Sequence, residues 1–281
     1  MDAEDYADQA GEMFVLSDSF IRIKELIDDE SSTIDDIADI ILLDPALAST
    51  ILKLANSPFF SYPGKIDTIS KAVLVLGITE VYNLVIAYFA TETFKSIKCD
   101  AQFLEEFWES SVDTALIIKY IGFKLRMPNA ERLFILGLLH NVGELVMQQL
   151  APEKAAKAAN LSSGQLPWQK QQAVFDFTYA EMSAELLKEW QLPFSIVEPI
   201  RYQNKDDFEF STAETKLLYL AKRVMLANYQ CSDIKQEHLI SPDKLAEVGI
   251  DKALIKEANE FCDLERLGIL AVLNPGSAMI Y

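Results

Sequence analysis

Apolar residues recur along this chain at spacings of three and four, the period of a helix with one buried face. From Ser19, SFIRIKELIDDE carries them at 20, 23, 26 and 27. SSTIDDIADIILLD then sets Ile34, Ile37, Ile40 and Ile41 on one side behind a Ser/Thr cap. In DPALASTILKLANSPFF (44–60), Asp44 is a good N-cap and Pro45 fits the first helical position, where its missing N–H costs nothing. Asn56 is expected to stop that helix in a left-handed conformation, and Pro58 forbids continuation. Further helices are predicted over 67–77, ended by Gly77, and over 79–94. A second block begins near Phe107 with a helix over 107–127, followed by an unbroken one from Ala130 to Leu150. Pro152 and Pro167 each open another, and 179–193, 194–204, 212–230, 242–249 and 251–273 continue the pattern before an irregular end, NPGSAMIY. No strand-like alternation is convincing, so the fold class is all-α, a multi-helix assembly without coiled-coil heptads.

Composition narrows this picture. The 281 residues are half hydrophobic with ten Gly and ten Pro, enough for one large helical domain or two fused smaller ones. The acidic start MDAEDYADQAGEMF does not resemble a secretory signal, and Gly77, Thr79, Glu80 and Asn83 interrupt the apolar run 72–90. A pair of buried helices is expected there, not a membrane span. Cys99, Cys231 and Cys262 form no CxxC and read as thiols of a reducing compartment, which places the chain in the cytoplasm. The net charge is −18, and residues 1–44 hold fourteen Asp or Glu against Arg22 and Lys24. Such a surface repels phosphate backbones, so no nucleic acid is expected as a partner. It reads as a solvated helix face.

Only two histidines occur, His140 and His238, and the first stands beside an asparagine within LFILGLLHNVGELVM (133–147). A lone imidazole in an apolar helix reads as a hydrogen-bonded core residue. Gly137 and Gly143 flank it at three residues, each costing about 1 kcal/mol relative to Ala in a helix interior, so close approach of a neighbouring helix is expected there. Glu144, one turn on, is expected at the helix rim. Trp108, Trp168 and Trp190 read as core anchors. A triad of Ser110 or Ser111 with His140 and Asp113 lacks an oriented base. No glycine-rich phosphate loop or nucleophile elbow appears.

DPALASTILKLANSPFF, then ISKAVLVLGITEVYNLVIA, FW at 107–108, LGLLHNVGEL (136–145) and ELLKEWQLPFSI (185–196) together resemble the HDOD family, HD-related output domains of bacterial signalling proteins. The likeness covers residues 14–210 and is carried in the first half by Asp44, Pro45, Asn56, Ser57 and Gly77. It implies an N-terminal helical subdomain (14–105), a degenerate HD-like subdomain (106–210) and a C-terminal helical extension (211–281). In HD-type metal phosphohydrolases, histidines and aspartates gather divalent ions that make bound water nucleophilic. At the matching positions this chain has Ser110, Asn141, Tyr179, Gln203 and Asn204, and keeps only His140. The resemblance therefore implies a non-catalytic, cofactor-free signalling domain that binds other proteins, with receiver or cyclic-dinucleotide-turnover domains as partners in trans. The alternatives are a metal-dependent phosphohydrolase acting on nucleotides or cyclic dinucleotides, and a small-molecule sensor using the emptied pocket. No feature of the sequence sets the oligomeric state.

Overall fold

Short polar caps decide where the helices begin. The computed structural model describes residues 1–29, 31–60, 62–229 and 239–273, and among these it contains helices and turns but no strand. In chain order the α-helices are α1 (Ala3–Met13), α2 (Asp18–Asp28), α3 (Ile34–Leu42), α4 (Pro45–Ala55), α5 (Ile69–Leu76), α6 (Ile78–Phe94), α7 (Ala101–Lys124) and α8 (Leu133–Leu139). They continue as α9 (Val142–Leu150), α10 (Pro152–Ala159), α11 (Pro167–Phe175), α12 (Tyr179–Glu189), α13 (Phe194–Tyr202), α14 (Ala213–Tyr229), α15 (Pro242–Val248) and α16 (Lys252–Leu273). The expected positions of Cys231, His238 and the irregular end at 274–281 lie outside the described residues.

The chain divides into two compact units, one of Leu16–Ser96 with residues from Asp263 on, the other of Met1–Val15 with Ile97–Cys262. In the first, Ser17, Thr33, Asp44 and Thr68 each accept a backbone N–H at a helix start, satisfying donors that the helix leaves free. Asp44 Oδ1 takes both Ala46 N and Leu47 N at 3.0 Å. Gly77 ends α5 at φ 88°, a conformation costly for residues with a Cβ, and α6 starts at once. The apolar run 72–90 is thus two helices, and α6 is buried on every side from Glu80 to Thr91. It is the central post of this unit, packed by α2, α4 and α5. Phe20 lies against Tyr82 and Phe89, with ring centroids 6.4 and 5.6 Å away.

Asn56 departs from the expected left-handed stop: its backbone sits at φ −93°, ψ 0°. Its side chain closes the turn instead. Nδ2 donates to Leu52 O and Ile66 O (2.7 and 2.6 Å), and Oδ1 accepts from Ile66 N (2.8 Å). An amide bonded on both edges to a residue ten positions on has no need of backbone strain.

In the second unit, the long α7 packs along α8 and α14, α12 lies against α1, α9 and α13, and α10 bridges α9 and α11. The Trp190 indole donates to Phe14 O at 2.9 Å, tying α1 to the end of α12. The stretch Ala130–Leu150 is long and apolar enough to cross a membrane by length and composition, and 72% of its apolar window is buried inside the fold. It is not the unbroken helix expected from its pattern. A 3₁₀ turn (Ala130–Arg132) precedes α8, and the path breaks at His140-Asn141 before α9 resumes.

Candidate functional site

The break between α8 and α9 has a steric cause. A Cβ on Gly137 would stand 2.4 Å from Ala115 Cα and 2.5 Å from Ala115 N, so α8 lies directly on the backbone of α7. On Gly143 it would stand 2.4 Å from Tyr179 O and 2.7 Å from Ser183 N, so α9 lies equally close to α12. Two close approaches to different helices, six residues apart, are met by bending the chain between them. At the bend, His140 Nδ1 bonds the carbonyl of Gly137 at 2.7 Å. Gly143 N donates to Ser183 Oγ (2.8 Å), which donates to Tyr179 O (2.7 Å).

The bend opens onto a cavity of about 210 Å³. α7 contributes Ser110 and Thr114, the bend His140, Asn141 and Glu144, and α12 its first residue, Tyr179. α11 adds Trp168 and Gln171, and α14 adds Lys222, Met225 and Leu226. The structure therefore brings Ser110, His140, Asn141 and Tyr179 together. It leaves Gln203 and Asn204 out of the lining. Gln203 is fully buried behind the bend, donating from Nε2 to His140 O (2.7 Å) and Ile200 O (2.8 Å), while its Oε1 and both amide atoms of Asn204 are buried without a hydrogen-bond partner among the described residues. Asp113 faces elsewhere: Cys262 Sγ lies 3.0 Å from its Oδ1, so it does not orient His140. Asp44, Pro45, Asn56, Ser57 and Gly77 belong to the other unit, where Pro45 and Asn56 edge an open groove with Leu42, Ala48, Leu52 and Ile66.

Among the described residues, two charged side chains, Glu144 and Lys222, line the cavity. Burial, reinforced by the Lys222 ammonium, holds His140 neutral with its pKa pushed down to about 3, against a weaker opposing effect of the Gly137 carbonyl. Since a carbonyl only accepts, Nδ1 carries the imidazole proton and Nε2 is left as an acceptor. Glu144 stands inside the cavity, not at the helix rim. Burial raises its pKa to about 7, while Lys222 and the Asn141 amide, which donates to it at 2.5 Å, hold it lower than burial alone would. Lys222 is lowered to about 7 by burial and by neighbouring Arg223, with Glu144 acting in the opposite sense. Burial and the Glu144 charge both raise the Tyr179 phenol.

This donor set does not fit a hydrolytic metal. Three or more protein ligands are usual for such an ion. Here one imidazole and one carboxylate stand among amides and hydroxyls, and an ammonium shares the space and repels a divalent cation. Among the described residues no three His, Cys, Asp or Glu side chains cluster.

Sequence reasoning missed Lys222, Gln171 and Thr114, and read Trp168 as core alone. Lys222 had a signal. It sits three and four residues before Met225 and Leu226 and four after Leu218, on the apolar stripe of α14 where an ammonium has no structural reason to be.

Residues 13–206 match the family model of the HDOD domain. The chain belongs to the HDOD family. Solved structures share its architecture throughout. An HDOD domain protein of unknown function from Geobacter sulfurreducens superposes with a TM-score of 0.74 at 21% identity, covering 96% of this chain and 97% of that one. A phosphohydrolase candidate from Shewanella amazonensis SB2B gives 0.72 at 23% identity over 95% and 96%. A signal transduction protein candidate from Marinobacter aquaeolei VT8 gives 0.71 at 20% identity, over 94% of this chain and 59% of that one. An uncharacterised protein of Treponema pallidum (strain Nichols) is 26% identical over 208 residues, which is 72% of this HDOD chain but 39% of that relative's length.

Proposed function

We propose that this HDOD protein is a non-catalytic signal-transduction output domain of the cytoplasm that acts by binding other proteins. The observation that carries the reading is the lining of the bend cavity: a neutral imidazole, one carboxylate hydrogen-bonded to an amide, and an ammonium in place of a ligand cluster. Side chains that keep hydrogen-bonding capacity while shedding charge preserve the packing of an HD-like pocket without the ion that makes water a nucleophile. The description of the Marinobacter aquaeolei relative as a signal transduction candidate agrees with this reading, and receiver or cyclic-dinucleotide-turnover domains acting in trans are the proposed partners. The strongly acidic chain disfavours nucleic acid among them.

The Shewanella amazonensis relatives, described as phosphohydrolase candidates, one of them metal-dependent, support the competing enzymatic reading. Metal analysis of protein purified without chelator, followed by a phosphodiesterase and nucleotidase screen with added manganese, separates the two. Trace metal and no turnover are expected. Stoichiometric metal with turnover that His140→Ala abolishes would overturn the proposal. For the interaction itself, capture from the native cell should recover a partner whose yield falls when exposed Lys53 and Lys65, flanking the Asn56 turn, are changed to Glu.

A further inference from the structure

The two charges in the bend cavity do not neutralise one another. Glu144 and Lys222 both line it and each feels the other's field, yet no ion pair within 4.0 Å joins them. Among the described residues Lys222 Nζ has neither a hydrogen bond nor an ion pair, and it lies over the Trp168 ring, 5.5 Å from its centroid. Glu144 and Lys222 are each half-buried, with Glu144 held by the Asn141 amide. A carboxylate and an ammonium partly withdrawn from water and kept apart in one cavity are better satisfied by a ligand that pairs with both. Besides the two charges, the cavity is lined by His140, whose Nε2 is left as an acceptor, and by the apolar Trp168, Met225 and Leu226.

We infer that the cavity binds a small zwitterion of the free α-amino-acid class. Lys222 takes the carboxylate, and Glu144 with the bare nitrogen of His140 takes the ammonium. The ligand's side chain lies against the apolar wall. Size agrees with this class. At about 30 Å³ per water, the cavity holds roughly seven waters, and about 150 Å³ suffices for benzene. A free amino acid fits that space. A zwitterion also pairs with both half-buried groups at once, which a simple anion or amine leaves half done.

This inference rests on the non-hydrolytic reading of the cavity, and its test is therefore run in EDTA, where a metal enzyme has no turnover to confuse it. The full chain is titrated calorimetrically with the free amino acids. For each that binds, the matched compounds lacking the ammonium or the carboxylate are tested (3-phenylpropionate and phenethylamine for phenylalanine). At least one amino acid is expected to bind, with both single-charge analogues at least tenfold weaker. Lys222→Met and Glu144→Gln should each weaken binding at least tenfold. Ala159→Phe, at an exposed position on the cavity rim, should also weaken it and serves where either buried variant fails to fold. Silence across the amino acids, equal binding of a single-charge analogue, or undiminished binding by a folded variant would overturn the inference. Metal-dependent turnover in the separate screen would instead overturn the proposed function.

Discussion

His140 shows how one residue is set by its surroundings more than by its type. Held neutral down to about pH 3 in the folded chain, it lies well below the ordinary imidazole range. Above about pH 6.5 it is neutral in both folded and unfolded chains and adds no pH dependence. As pH falls below that, the unfolded chain takes up a proton that the folded chain refuses until about 3. Stability is lost across that window, by up to about 1.4 kcal/mol per pH unit. His140→Gln should remove one proton's worth of slope between pH 6 and 4 in denaturant melts, and an unchanged slope would contradict the buried neutral imidazole. Glu144 acts in the opposite sense. Its folded pKa is raised to about 7, so its contribution is present below the ordinary carboxylate range and fades as pH rises through 7. Glu144→Gln should flatten the stability profile between pH 5 and 8. The histidine itself was legible in the sequence, as was its asparagine neighbour. The ionisation of Glu144 and Lys222 was not, because burial and mutual field are properties of place.

Among the helices, most boundaries written in local chemistry were read correctly, and boundaries imposed by neighbours were not. The Asp2–Asp5 capping box that opens α1 and the Asp100 cap that opens α7 ahead of Phe107 were passed over. Asp44-Pro45 opens α4 and Gly77 closes α5 as their capping chemistry requires. The break between α8 and α9 carries no proline and no capping side chain, and its apolar periodicity runs through it unchanged. It is produced by two glycines pressed against different backbones. Gly137→Ala drives a methyl into the backbone of α7, and Gly143→Ala drives one into that of α12. Each is expected to cost about 3 kcal/mol or more, at or beyond the upper end of ordinary overpacking, because a backbone cannot swing aside like a side-chain tip. Urea melts showing less than about 1 kcal/mol for both would mean that the helices relax apart easily. Asn56 makes the complementary point. Its role in reversing the chain was readable, but the means was not, since the Ile66 backbone that its amide grips is ten residues away.

For the molecule as a whole, a cavity without a ligand cluster predicts indifference to divalent ions. Manganese, zinc or magnesium added to chelator-treated protein should move the melting temperature by less than about 1 °C, since an ion without preferential affinity for the folded state adds no stability. A saturable rise of several degrees that His140→Ala removes would show otherwise. The sequence by itself determined the helical class, most helix starts and the HDOD membership, because periodicity, caps and residue identity are local and survive without contacts. Only the tertiary structure decided that Ser110, His140, Asn141 and Tyr179 share a cavity while Gln203 and Asn204 stand behind it, and that Lys222 enters from α14. Those facts depend on which helix faces cross, and the crossing is set by steric fit between segments far apart in the chain.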